Sequence, residues 1–237
     1  MPDKNRVETF IDGMDELLNG GVPEAHTVLI AGPAGSGKTT FGMEFLYRGI
    51  EENDDNALFV SFEEPEEQLV SNLPFEWDFE EKIEEGSLNI VKYDPYQHDE
   101  IIDLIRSSIK ENDAKRVVID SLTALNLYVD SVKDVRKLIL DMNAELRDLE
   151  CTAFYVGEIK SSAPNEISRY GVEEFIADGV VTLRLAEMGA ELSNQILVRK
   201  MRGTDHDKKV HPFKFGDEGL KVYAKEKAFQ GEEGDIF

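Results

Sequence analysis

Gly32-Pro33-Ala34-Gly35-Ser36-Gly37-Lys38-Thr39 decides the fold. The stretch satisfies G-x-x-x-x-G-K-[ST] in full, and its setting gives the pattern physical meaning. It follows the apolar run TVLIAG at 27–32 and opens a helical pattern. Glycines let successive backbone N–H groups turn inward as an anion nest, and a helix N-terminus adds partial positive charge. Lys38 is then placed to reach the β and γ phosphates of a nucleotide, and the Thr39 hydroxyl to ligate Mg²⁺. A chance Gly-rich turn before a helix is the alternative, and a complete pattern in this context weighs against it.

Outward from the loop, short apolar runs alternate with helical patterns, which predicts a mostly parallel, twisted sheet flanked by helices. The strand-like runs are TVLIAG, ALFVSF at 57–62, LNIVKY at 88–93, RVVID at 116–120 and TAFYVG at 152–157. Helices are expected near 38–51, 66–73, 99–112 and 132–150. In the last, Val132, Val135, Leu138, Ile139, Met142, Leu146 and Leu149 fall on one face at helical spacing and read as core. After Gly179 come closely spaced runs, VVTLRL, QILVRK, VHPFKF and LKVY, which predict an antiparallel extension at the C-terminal side. Residues 1–224 are expected to form one domain, with 225–237 a polar tail.

Three further places carry candidate chemistry. Arg116-Val117-Val118-Ile119-Asp120 is a buried-strand pattern delivering a carboxylate at its end, where it can hold the water shell of Mg²⁺. Glu63-Glu64 follows ALFVSF, a strand expected beside the loop strand; a glutamate there can polarise water attacking a γ-phosphate. A solvated acidic pair before Pro65 is the plain alternative. Lys200-Met201-Arg202-Gly203-Thr204-Asp205-His206 is a basic turn after a strand, whose two cations at i and i+2 point the same way. They read either as phosphate ligands or as surface cations balancing nearby acids. His206 and His211 have no cysteine or third histidine nearby, so no zinc-type site is expected.

Composition narrows the function classes. The chain has 49 acidic and 26 basic residues, a net charge of −23. Such a surface repels nucleic-acid backbone and anionic membranes. The acids are dispersed (EENDD, FEEPEE, EEKIEE), which suggests an origin at high salt, where screening shortens to ~3 Å at 1 M. An ordinary acidic cytosolic protein is the alternative. No apolar run approaches the ~18 residues of a membrane span, and MPDKNRVETF lacks a secretory pattern, so a cytoplasmic location is expected. The single cysteine, Cys151, lies in an apolar run and reads as a small buried hydrophobe.

In order and spacing these segments resemble the KaiC family of RecA-like ATPases. The resemblance rests on IDGMDELLNGGVP at 11–23, the phosphate loop, FVSFEEP at 59–65, RVVIDSLT at 116–123, RYGVEEFIADGVVTLR at 169–184 and KMRGTDHDKKVHPFKF at 200–215. It covers roughly residues 8 to 223. It implies a RecA-like P-loop NTPase fold and slow, Mg²⁺-dependent ATP hydrolysis in a ring-shaped homo-oligomer, a hexamer. Glu63 would be the catalytic base, supported by Glu64. Gly35, Ser36, Gly37, Lys38, Thr39 and Thr40 would contact the nucleotide, Thr39 and Asp120 would serve the metal, and Phe175 would lie near the base. Lys200, Met201, Arg202, Thr204 and His206 would belong to the nucleotide site, with Lys200 and Arg202 reaching the γ-phosphate of a neighbouring subunit.

The sequence departs from the family's clock proteins in two ways. They carry two such domains in tandem, and this chain has room for one. Where their second half has adjacent Ser and Thr phosphorylation sites, this chain has Glu173-Glu174, so autokinase activity is not expected. Two rival readings are a DNA-acting recombination mediator related to RecA and RadA, and a signalling module that binds ATP without turnover. The −23 charge and the lack of a basic stripe with interleaved aromatics speak against the first.

Overall fold

The computed structural model describes residues 5–74, 76–93, 100–127, 131–159, 166–188 and 191–226. A nine-stranded sheet organises them. In chain order its strands are β3 (Thr27–Gly32), β4 (Ala57–Ser61), β5 (Leu88–Lys92), β6 (Arg116–Asp120), β7 (Thr152–Glu158), β8 (Gly179–Met188), β9 (Glu191–Met201), β10 (His211–Gly216) and β11 (Gly219–Val222). Across the sheet the order is β11-β10-β9-β8-β3-β7-β6-β4-β5. Pairing is parallel from β8 through β3, β7, β6 and β4 to β5, and antiparallel from β8 outward to β11. Both the parallel core and the antiparallel extension therefore match the expectation from the sequence. A separate two-stranded ribbon, β1 (Arg6–Val7) with β2 (Val22–Pro23), brackets α1 (Met14–Leu17).

One expected adjacency is corrected. The strand ending before Glu63, β4, does not lie beside the loop strand β3; β7 and β6 stand between them. Hydrophobic runs identify buried strands without ordering them, and here the chain's later strands β7 and β8 flank β3.

Helices cover the sheet because alternate residues of each central strand are apolar on both faces. The long helix α2 (Lys38–Asn53) packs on one face, where Phe45 stacks on Phe154 at 3.9 Å between ring centroids and Phe41 at 5.9 Å. Each such buried ring contributes roughly 2–3 kcal/mol of transfer free energy. On the other face lie α5 (Ile101–Asn112) and α6 (Val132–Asp148), whose Ile105, Ile109, Val135, Ile139, Met142 and Leu146 pack with Leu29, Ala31, Val117 and Ile119. Val132 departs from the expected core face: it is 49% exposed. It is the first residue of α6, preceding the turn where the stripe reaches the sheet. Three short helices complete the set: α3 (Glu66–Ser71), α4 (Phe79–Glu84) and α7 (Glu173–Ile176). Cys151 is buried, and burial pushes its thiol up to about 11.

The antiparallel extension is tied to α2 by a buried carboxylate. Glu44 is fully buried, its Oε2 accepts the Leu220 backbone N–H at 2.7 Å, and its Oε1 has no hydrogen bond. Arg48 Nε stands 3.7 Å from it, and the Arg48 guanidinium also donates to the Glu218 carbonyl. Burial pushes the Glu44 carboxyl from 4.5 up to about 7, against the pull of Leu220 N–H and Arg48, with Asp12 adding to the rise. Between those two values the folded chain holds a proton that the unfolded chain releases. The contribution of Glu44 to native stability should thus be fully present below 4.5 and be lost as pH rises through 7, by up to about 3 kcal/mol. Glu44→Gln should remove that dependence, so the stability of the wild type relative to the variant should decline across the window. Parallel pH profiles from denaturant titrations would assign the effect elsewhere.

Candidate functional site

The phosphate loop joins β3 to α2 at the C-terminal edge of the parallel strands. Gly37 caps α2 with φ 85°, a conformation that side chains disfavour. The Phe215 ring of β10 also rests where a Cβ on Gly37 would stand, so glycine is required there twice over. Gly35, at φ 76°, faces open space: a Cβ there would meet nothing within 4 Å. Ser36 is buried and its Oγ has no hydrogen-bond partner, an orphaned polar atom inside the loop.

Lys38 is 8% exposed, and its Nζ donates to the Pro33 carbonyl at 2.9 Å. Burial lowers its pKa, opposed by the nearby carboxylates of Glu158, Asp120 and Glu63. Thr39 Oγ1 donates to Asp120 Oδ2 at 2.6 Å. β6 thus delivers its terminal carboxylate to the start of α2, although β7 lies between β6 and β3. Burial pushes Asp120 up to about 6; the Thr39 hydroxyl pulls it down, and Glu63 pushes it up again.

The next residue extends the chain of contacts. Ser121 Oγ donates to Glu63 Oε1 at 2.8 Å, linking Glu63 to the loop through Asp120 and Thr39. Ser61 Oγ accepts the N–H groups of Glu63 and Glu64 at 3.3 and 3.0 Å and donates to the Glu64 carbonyl at 2.6 Å, so the turn after β4 has a fixed shape. Glu63 is exposed and Glu64 half-buried. The carboxylates therefore converge on the loop from β4, even though that strand is not its neighbour.

Sequence reasoning missed three contributors here. Ser121 was signalled only by following Asp120. Glu158 ends the run TAFYVGE and pairs in register with Gly32. Phe215 carried no signal beyond strand alternation in HPFKF, because its contact with Gly37 depends on how the hairpin folds back.

The basic turn lies elsewhere. Met201 pairs with Gly179, and Gly179 pairs with Val28 near the start of β3, whereas the loop begins at Gly32. Lys200 and Arg202 therefore sit near the opposite edge of the sheet, about 13 Å along the strand direction at roughly 3.3 Å per residue. Lys200 Nζ donates to the carbonyls of Ala177 and Glu174 at 2.6 and 3.0 Å. Arg202 Nη1 donates to Asp178 Oδ1 at 2.9 Å and Nη2 to the Phe175 carbonyl at 3.1 Å. Phe175 is 65% exposed, so an aromatic ring and two cations share one surface. Met201 is buried, Thr204 Oγ1 accepts from Arg6 at 3.1 Å, and His206 Nδ1 lies 2.8 Å from the Asp207 carbonyl. Thr40 lies half-buried in the first turn of α2. The structure thus gathers Gly35 to Thr39, Glu63 and Asp120 at one edge, and Phe175, Lys200 and Arg202 at the other.

Among the described residues no cluster of three or more His, Cys, Asp or Glu is placed to hold a metal unaided. The oxygen donors of Thr39 and Asp120 fit Mg²⁺, which binds a few protein oxygens and takes its other ligands from phosphate and water. No helix among the described residues is long and apolar enough to cross a membrane.

A phosphate loop at the tip of a central parallel strand, with a carboxylate delivered by a second strand, defines the class: RecA-like P-loop ATPases. Comparison with known proteins narrows this. Residues 7–227 match the model of the KaiC ATPase family, and the chain belongs to that family. A UPF0273 protein of Methanopyrus kandleri is 38% identical, covering 98% of this chain and 96% of its own length. The circadian clock oscillator protein KaiC of Acaryochloris marina is 35% identical over 93% of this chain, which spans 45% of the clock protein. The crystal structure of a KaiC-like protein from Pyrococcus horikoshii superposes with a TM-score of 0.84 at 40% identity, covering 93% of this chain and 99% of that one.

Proposed function

We propose that this chain is a cytoplasmic regulatory ATPase that binds ATP with Mg²⁺ at Gly32–Thr39 and hydrolyses it slowly within a ring-shaped homo-oligomer. In this reading Gly35, Ser36, Gly37, Lys38, Thr39 and Thr40 hold the nucleotide, and Thr39 with Asp120 serves the metal. Bound Mg²⁺ would neutralise charge developing on the β and γ phosphates. Glu63, supported by Glu64, takes the proton of the attacking water. Lys200 and Arg202, with Met201, Phe175, Thr204 and His206 around them, complete the site of an adjacent copy.

The observation that carries the reading is the separation of the two halves. The Lys38–Thr39–Asp120–Glu63 constellation occupies one edge of the sheet and the Lys200–Arg202 pair the other. Within one copy the second set stands about 13 Å along the strand direction from the first, which favours action between copies. Light scattering with ATP, ADP and no nucleotide, alongside phosphate release with and without Mg²⁺, tests it. The expectation is a ring-sized species with ATP and Mg²⁺-dependent turnover. A monomer under all three conditions that still hydrolyses ATP would overturn the assembled site.

The dispersed acidity supports a further reading, that the chain is archaeal and adapted to high salt. Its −23 charge repels itself, and molar KCl screens that repulsion. The melting temperature should therefore rise between about 0.1 and 2 M KCl, with screening distance falling from ~10 Å toward ~3 Å. A flat or falling profile would remove the halophilic reading and leave the ATPase proposal untouched.

A further inference from the structure

The antiparallel extension carries two arginines whose setting differs from that of the chain's other buried cations. Elsewhere such cations have close partners: Arg116 binds Asp55 at 2.7 Å, Lys82 binds Glu51 at 2.7 Å, and Lys38 donates to the Pro33 carbonyl at 2.9 Å. Arg184 of β8 is half-buried, yet makes no hydrogen bond or ion pair among the described residues. Arg199 of β9 is also half-buried, and among the described residues its guanidinium finds only the Thr182 hydroxyl, at 3.4 Å from Nε.

Register explains how the two meet. Val181 pairs with Val198 and Val180 with Lys200, so Arg199 is the extra residue of a β-bulge. A bulge re-aims side chains on its strand, and here it sets Arg199 against Thr182. Thr182 and Arg184 are two residues apart on β8 and share a face. Gln195, cross-strand partner of Arg184, is half-buried on that same face. Burial lowers the pKa of both arginines, and Arg184 lowers that of Arg199 further, so the two charges repel one another while partly withdrawn from water. Holding like charges there is costly unless an anion joins them. In a chain with 49 acidic residues, no described carboxylate has taken that place.

We propose that Arg184 and Arg199 form a second anion site, which binds a phosphate group between their guanidinium groups on the Thr182 face of β8 and β9. A phosphate group carries about −1.5 to −2 at pH 7, enough to neutralise both arginines, and its oxygens suit the planar donor fork of each. The site runs along β8 and β9 from Arg184, level with the nucleotide loop because the Leu183 carbonyl lies beside Gly32, to Arg199 next to Lys200. It is built from different residues and does not depend on hydrolysis.

The test uses the full chain carrying Lys38→Ala, which disables the first phosphate site. Inorganic phosphate is titrated calorimetrically at pH near neutral, with KCl holding ionic strength constant. Saturable binding is expected, weakened about tenfold or more by Arg184→Gln with Arg199→Gln. Arg184→Lys with Arg199→Lys should give an intermediate loss, keeping charge but not the fork. Circular dichroism checks folding; should the double glutamine variant not fold, each single variant is expected to lose about threefold or more. Titration of ADP separates the sources. ADP binding tighter than phosphate and lost in the glutamine variants assigns the group to a nucleotide, and equal affinities assign it to the free ion. No saturable binding of either, or affinities unchanged by the glutamine variants, would overturn the proposal.

Discussion

Glu63→Gln is expected to retain ATP and to hydrolyse it about 100-fold or more slowly, the usual scale of a general-base contribution. The substitution is nearly isosteric and leaves an oxygen to accept from Ser121 Oγ, now 2.8 Å from Glu63 Oε1, so the turn after β4 should keep its shape. What is lost is the capacity to take a proton, together with one negative charge beside Asp120. Glu63 helps push Asp120 up toward about 6, so the variant should also bring that carboxyl down. Two readouts therefore move in opposite senses: turnover falls, and the acid limb of Mg²⁺-dependent nucleotide affinity shifts to lower pH. Phosphate release and nucleotide titration, each over a pH series, measure the two. Turnover unchanged from the wild type would transfer the base role to Glu64 or to water alone.

The second large effect separates the two edges of the sheet. Lys38→Ala should abolish nucleotide binding, because it removes the cation that faces the β and γ phosphates. Arg202→Ala should bind ATP almost normally and hydrolyse it poorly, since a cation contributed across an interface acts mainly on transition-state charge. Mixing the two inactive variants should restore activity. An Arg202→Ala subunit keeps an intact loop and can receive Arg202 from its Lys38→Ala neighbour. Size-exclusion chromatography and labelled-subunit exchange establish that the variants co-assemble. With exchange shown, no recovered activity at any mixing ratio would mean that Arg202 does not act between copies.

Much of this arrangement was legible beforehand, for identifiable reasons. The loop at Gly32–Thr39 announces itself because phosphate chemistry restricts both residue type and spacing. Strand β6 ends at Asp120 as the run RVVID requires, and the closely spaced runs after Gly179 do form the antiparallel extension. Strand order was less accessible: hydrophobic runs specify burial, and nothing in ALFVSF says that two strands will come between it and β3. Short elements were missed where local pattern is thin. The helix α4 has a readable start, since Asp78 accepts the Glu81 N–H at 2.9 Å, but its six residues are too few for periodicity to show. The partners of Lys200 and Arg202 were unreadable for a different reason. Three of them are backbone carbonyls of the 174–177 segment, and carbonyl positions leave no trace in residue identity.

The hairpin clamp on α2 also gives the molecule an optical property. Trp77 is the chain's single tryptophan, and its ring stacks on Tyr47 at 4.7 Å with the Arg48 guanidinium 4.7 Å from its centroid. Tyr47 and Arg48 belong to the same helix whose first turn carries Lys38 and Thr39, and Arg48 also grips the Glu218 carbonyl. Indole emission responds to the polarity and charge around the ring, so a shift of α2 or of the β10–β11 turn alters what this one fluorophore sees. The chain thereby carries its own label at the rear of the nucleotide helix, one that reports on the packing of α2 without any dye.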